Sequence, residues 1–175
     1  KQGISVYYMH GNRDFLLGKQ FAKLAGWELL TEPTCIQLDS EKILLAHGDN
    51  FCTKDIAHQR FRLLTRNKLF NRLFLTLPLR YRKKLAEKVR RHSKMHYNKP
   101  QEQMDVVEQT VLDTMIKYQV KKLIHGHTHK PGLTEYDHNQ YRFSRFVLSD
   151  WDDRPQILSY NITKGLHFNC FSGVC

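Results

Sequence analysis

The chain has 175 residues, with 28 Lys and Arg against 17 Asp and Glu, a formal charge of +11. At 41% hydrophobic and 26% charged residues it has the composition of a soluble globular domain with a core, which excludes a mainly disordered, collagen-like or polytopic membrane chain. Four cysteines, at 35, 52, 170 and 175, form no CxxC pair or regular framework, so reduced thiols are expected rather than a disulfide scaffold or zinc ribbon.

The predicted elements alternate between strand and helix. Ser5 to Met9 is a short β-prone run that stops at His10-Gly11-Asn12, and Phe15 to Ala25 reads as a helix ended by Gly26. Cys35 to Leu38 and Ile43 to Ala46 form an expected hairpin through Asp39-Ser40-Glu41-Lys42, running into His47-Gly48-Asp49. Asp55 to Leu77 and Leu79 to Lys94 are expected helices broken at Pro78. Gln103 to Tyr118 repeats apolar residues at helical spacing: Met104, Val107, Val111, Met115, Tyr118. Lys122 to Ile124 is a strand ending at His125-Gly126-His127-Thr128-His129, and Phe143 to Leu148 and Ile157 to Ile162 are expected as closing antiparallel strands. Residues 1–175 are read as one domain, with a basic helical insertion over 54–100.

The charge is concentrated in that insertion. Between Lys54 and Lys94 stand fourteen Lys and Arg against Asp55 and Glu87, a local charge of +12 that leaves the rest of the chain at −1. Such a segment meets an anionic partner: nucleic acid, phospholipid head groups or a phosphorylated substrate. Leu69, Phe70, Leu73, Phe74, Leu75, Leu77 and Leu79 crowd the same region too densely for a plain solvated face, and fit a lid for acyl chains on an anionic bilayer.

The chemistry lies where strands stop. Asn12, His47, and His127 with His129 follow three different strands, and open α/β sheets bring such ends to one place. Imidazole is the commonest metal ligand, and an Asn carbonyl is a hard oxygen donor suited to Mn²⁺. The i, i+2 pair His127 and His129, beside Gly126, can aim two rings at two adjacent ions, a centre that polarises phosphate and activates water. Isolated histidines are more often structural, and His10, His92, His138 and His167 are read so.

Gly11-Asn12-Arg13-Asp14, His47-Gly48-Asp49 and Gly126-His127-Thr128-His129 resemble the last three motifs of the calcineurin-like metallophosphoesterases. The longer runs His10 to Gly18, Leu44 to Asp49 and Leu123 to Pro131 resemble the UDP-2,3-diacylglucosamine hydrolase family of lipid A biosynthesis. The resemblance implies an α/β fold, the carboxyl-terminal part of a calcineurin-like β-sandwich flanked by helices, with a basic helical lid. It implies two Mn²⁺ ions, with Asn12, His47 and His127 on one and His129 on the other. The implied reaction is water attack on the α-phosphorus of UDP-2,3-diacylglucosamine, releasing UMP and 2,3-diacylglucosamine 1-phosphate at the cytoplasmic face of a Gram-negative inner membrane.

The family's Asp-x-His and Gly-Asp motifs, with the bridging carboxylate, do not occur here, so the chain reads as the carboxyl-terminal portion of the enzyme. Arg13 stands where other superfamily branches carry histidine; it cannot give up a proton near neutrality but can neutralise phosphoryl oxygens, which suits a pyrophosphate. Matching positions imply substrate contacts at Asn12, Arg13, Asp55, Ser93, Asn98, Lys99 and His127, with Arg13 and His127 as catalytic residues. His58 stands where relatives often have tyrosine. Two alternatives stay open: a phosphoesterase of nucleotides or phosphodiesters, and an inert module whose basic segment binds RNA or anionic membrane; nucleic acid is not the expected partner.

Overall fold

A computed structural model of the chain describes residues 3–95, 104–151 and 154–170. Its centre is a five-stranded mixed sheet in the order β3-β4-β5-β7-β6: β3 Thr34–Leu38, β4 Glu41–Ala46, β5 Lys122–His125, β6 Gly132–His138 and β7 Tyr141–Val147. β4, β5 and β7 run parallel, while β3 and β6 are antiparallel edges. A parallel pair β1 Val6–Met9 and β2 Trp27–Leu30 is joined by α1 Lys19–Ala25, and a hairpin of β8 Gln156–Asn161 and β9 Gly165–Cys170 follows the sheet. The long crossover between parallel β4 and β5 holds a short 3-10 turn at Asp49–Phe51 and helices α2 Ile56–Thr65, α3 Lys68–Thr76, α4 Leu79–Met95 and α5 Glu108–Lys117. This is the mixed α/β architecture, with a central sheet flanked by helices, expected of the calcineurin-like class.

The core lies between one sheet face and α5. Leu44 and Ala46 of β4, Leu123 of β5 and Phe143 of β7 pack with Phe51, Val120 and the i, i+4 pair Val111 and Met115 of α5. Alternation along each strand makes this possible, since Ile43, Leu45, Ile124 and Phe146 point the other way. On that second face Phe146 meets Phe168 of β9, ring centroids 6.4 Å apart, so the β8–β9 hairpin forms part of the opposite layer. Fully burying each large apolar side chain stabilises by about 1.5–3 kcal/mol.

Several element boundaries differ from the expectation for local reasons. α1 begins only at Lys19, because Gly18 is extended and the preceding segment is a turn closed by Leu17 N–H on the Asp14 carbonyl (2.9 Å) and by His10 Nε2 with the Leu17 carbonyl (2.6 Å). Gly26 ends the helix in a left-handed conformation, φ 75°, which lets its N–H reach back to the last carbonyls. The expected helix over Asp55 to Leu77 is two helices, since Asn67 caps α3 by accepting from Leu69 N–H and Phe70 N–H. α5 starts five residues later than expected, at Glu108, because Val107 N–H is spent on the Phe51 carbonyl at 2.9 Å.

Strands β2, β6 and β9 were not expected. β6 and β2 mix polar and apolar residues as edge strands do, and it is pairing with β7 and β1 that makes them strands. The two expected closing strands do not pair with each other: β7 lies between β5 and β6, and β8 pairs with β9. Cys35 and Cys52 are free thiols, whereas Cys170 is disulfide-bonded, which corrects the expectation of reduced thiols throughout. Among the described residues no helix is long and apolar enough to cross a membrane.

Candidate active site at the carboxyl ends of the strands

β4 and β5 are parallel neighbours in the register Ala46 with His125, so the residues that follow them leave the sheet side by side. Gly126 N–H donates to the His47 carbonyl at 2.9 Å and extends the ladder by one rung. Beyond that rung the chain turns sharply; His127 and His129 both take left-handed backbone angles, φ 68° and 54°. The result brings the His47 and His127 rings into edge contact, centroids 5.1 Å apart. The loop after β1 completes the floor: a Cβ at Gly11 would stand 3.3 Å from His47 Cε1, so this loop, with Asn12 next in sequence, lies close on the imidazole.

Gly48 secures the same junction. It adopts φ 112°, and a Cβ there would stand 2.6 Å from His125 Nδ1. Replacing Gly48 with alanine is expected to destabilise the protein by about 2 kcal/mol or more through backbone strain and overpacking. Denaturant titration checks this; an unchanged midpoint would mean the His47 turn relaxes freely.

Burial governs the protonation of these rings. Desolvation pushes His127 down to about 4, helped by His47 and His58, and lowers His47 despite the nearby carboxylates of Asp49 and Glu32. Both are therefore neutral imidazoles near pH 7, the form that binds a metal. Among the described residues His47 Nε2 is buried without a hydrogen-bond partner, which leaves its lone pair available. His129 sits on the exposed side of the loop and shares a proton through Nδ1 with Asp150 Oδ2 at 2.7 Å, an arrangement that leaves Nε2 for a ligand. Asp150 carries no motif, and only the tertiary contact reveals it.

Not every expected residue joins this group. Among the described residues no three or more His, Cys, Asp or Glu side chains stand together closely enough to hold a metal ion. Arg13 is exposed at the rim, and Asp14 bonds the Tyr8 hydroxyl rather than pairing with it. Asp55 caps α2 by accepting from His58 N–H at 3.1 Å, a structural role beside the expected substrate contact. Ser93 falls on the last turns of α4; Asn98 and Lys99 lie outside the described residues.

His58 is the residue the motifs passed over. From the first turn of α2 its ring lies against His127, centroids 5.1 Å apart and 31° between planes, and its Nε2 is 3.9 Å from Asp49 Oδ2. Asp49 is buried and holds Arg62 Nε at 3.0 Å; burial opposes its ionisation, but His58, His47 and Arg62 together draw its carboxyl well below the usual range. Arg66 stands 2.9 Å from the buried Glu32 carboxylate, whose other oxygen accepts from His47 N–H at 2.9 Å. Two of the fourteen cations of the basic segment are thus turned inward, where they anchor α2 to the imidazole site.

A mixed sheet flanked by helices, with imidazoles converging where adjacent strands end, places the chain in the calcineurin-like class. No family model matches it. It is 44% identical over 168 residues to a UDP-2,3-diacylglucosamine hydrolase of Pasteurella multocida, an alignment covering 95% of this chain and 69% of that protein. Hydrolases of the same name from Histophilus somni and Pectobacterium carotovorum are 45% and 43% identical, over 96% and 90% of this chain and 70% and 66% of theirs. The chain belongs to the UDP-2,3-diacylglucosamine hydrolase family, and spans about two thirds of the length of these relatives.

Proposed function

We propose that the protein hydrolyses the pyrophosphate bond of UDP-2,3-diacylglucosamine, giving UMP and 2,3-diacylglucosamine 1-phosphate in lipid A biosynthesis. The observation that carries this is the meeting of the His47 and His127 rings, with His47 Nε2 buried and unpartnered among the described residues, in a chain whose relatives bear that enzyme's name. The donor chemistry fits a divalent cation such as Mn²⁺: neutral buried imidazoles at His47 and His127, an amide oxygen at Asn12, and His129 oriented by Asp150. Bound there, the metal would supply Lewis acidity and a water acidic enough to attack phosphorus near pH 7.

The remaining work falls to side chains of this chain. Arg13, exposed at the rim beside Asn12, presents a guanidinium that cannot lose its proton and can neutralise charge growing on the phosphoryl oxygens. Arg13→Ala is therefore expected to lower kcat by about a hundredfold while leaving metal affinity nearly unchanged. Steady-state kinetics together with metal titration test it, and an unchanged kcat assigns Arg13 a structural role.

Helices α2 to α4 are read as a lid that receives the acyl chains and rests on the anionic inner-membrane surface. α3 has no buried residue, and Leu63, Leu69, Leu73 and Leu79 are more than half exposed among the cations. A groove of about 580 Å³ on α4 joins Leu77, Tyr81 and Leu85 to Lys84, Lys88 and Arg91, apolar floor beside basic rim. Lipid suits this surface better than RNA, since Phe70 and Phe74 stack on each other, centroids 5.9 Å apart, instead of offering open faces to bases.

Serine at Leu73 and Phe74 together is expected to lower kcat/KM for the diacylated substrate by about tenfold or more, and for the deacylated UDP-sugar far less, each buried methylene being worth about 0.8 kcal/mol. Equal losses on both substrates would make the cluster ordinary helix packing. Failure of the intact protein to prefer the diacylated UDP-sugar over a simple phosphodiester would overturn the functional reading itself.

A further inference from the structure

The sheet face that packs on α5 carries Arg145 among its apolar neighbours. Arg145 of β7 stands opposite Leu123 on one side and Thr134 on the other, with buried Phe143 and Val147 two residues away on the same face. Its Nη2 donates to Thr134 Oγ1 at 3.0 Å, and its guanidinium carbon lies 5.7 Å from the centre of the Tyr136 ring. Its Nε is buried and has no hydrogen-bond partner among the described residues. A charged donor left unsatisfied in a low-dielectric setting calls for an acceptor, and the described residues do not provide one.

The guanidinium borders a cavity of about 230 Å³, lined also by Thr134, Gly132, Thr128, Lys130 and Asp105. Thr128 belongs to the same turn as His127 and His129, so the cavity lies directly behind the imidazole loop. Gly132, at φ 151°, leaves open space where a Cβ would stand. The acid of the lining, Asp105, is engaged by Lys130 at 2.6 Å, so the two cations exceed the one carboxylate and the cavity carries net positive charge.

We propose that this cavity is an oxyanion subsite that takes a single phosphoryl group, with Arg145 Nε–H as its principal donor and Lys130 and Thr128 at its mouth. A guanidinium whose position is fixed by a threonine hydroxyl and an aromatic ring offers a directional, charged hydrogen bond suited to phosphate oxygen. The volume admits a phosphoryl group and leaves any nucleoside attached to it outside. The inference stands apart from the hydrolase reading, because phosphate can occupy the cavity without a cation or a lipid. The phosphoryl group has two sources: free inorganic phosphate, or the phosphate end of a nucleoside monophosphate.

Calorimetric titration of the intact protein with inorganic phosphate and, separately, with UMP, both in the presence of a chelator, tests the assignment. Phosphate is expected to bind saturably, about tenfold more weakly in Arg145→Gln and several-fold more weakly in Lys130→Gln. Asp105→Asn, which removes the negative charge from the lining, is expected to bind it more tightly. UMP binding with the same pattern across the variants assigns the site to a nucleotide's phosphate, and phosphate binding without UMP assigns it to the free ion. Absence of phosphate binding in the folded wild type, or equal affinity in wild type and variants, overturns the proposal. Should Arg145→Gln fail to fold, Lys130 and Asp105, both substantially exposed, decide it: opposite shifts support the subsite, and two unchanged affinities exclude it.

Discussion

Alanine at His127 is expected to reduce Mn²⁺-stimulated hydrolysis by the intact protein by about a hundredfold or more, with the fold preserved. The ring sits just beyond β5 in a turn where His127 and His129 take left-handed backbone angles, and among the described residues its ring contacts are with His47 and His58. Truncation therefore removes a donor without touching the apolar core cluster, of which His127 is not a member. On the proposed metal reading, loss of one imidazole donor would remove both affinity for the cation and the placement of the phosphate relative to it. Asn12→Ala is expected to behave alike if its amide oxygen is a ligand. Turnover measured against Mn²⁺ concentration, alongside circular dichroism, decides the matter: near-normal stimulated activity in both variants would remove these residues from the metal site.

Arg62→Ala is expected to cost about 3 kcal/mol of stability near neutral pH, more than most single substitutions outside the core. Arg62 Nε is bound to Asp49 Oδ1 at 3.0 Å, and the Asp49 side chain is only 2% exposed, so the variant leaves that carboxylate buried without its guanidinium, 3.9 Å from His58 Nε2. The pH dependence has a definite sign. Asp49 is held well below its ordinary value of 3.8 in the folded protein, so its ionised form contributes stability that is fully present above about pH 4 and fades as pH falls through the depressed folded value. Without Arg62 the carboxyl rises again, and protonation relieves the buried charge. The deficit of the variant should accordingly be largest near pH 7 and shrink below about pH 4. Denaturant titrations at pH 7 and pH 4 measure it; a deficit that stays constant with pH would assign the loss to packing alone.

This ion-paired cluster also ties α2 to the segments that follow β1, β2 and β4. Arg62 and Arg66 reach from α2 to Asp49 after β4 and to Glu32 after β2, and Arg66 further donates to the His10 carbonyl at 3.1 Å. A change at Arg62 or Glu32 would therefore disturb both the imidazole floor and the proposed lid, through the backbone N–H of His47 that Glu32 accepts.

What the sequence by itself determined was the set of local patterns. Apolar runs ending in His-Gly-Asp and Gly-His-Thr-His placed strands and the chemistry at their ends, Val111 and Met115 at helical spacing located the helix that covers the core, and the excess of cations between Lys54 and Lys94 was legible from counting alone. Those signals depend on neighbours within a few residues, which is where periodicity and turn chemistry act. Only the tertiary structure decided the partners. The strands β2, β6 and β9 exist because a neighbour supplies their hydrogen bonds. Asp150 behind His129, His58 against His127, and Arg62 and Arg66 folded inward onto Asp49 and Glu32 are contacts between residues 13 to 69 positions apart or brought together from separate elements, and no local pattern encodes them. The physical reason is that a side chain's charge, protonation and free lone pairs are set by what surrounds it, and burial at the ends of packed strands is created by the fold as a whole.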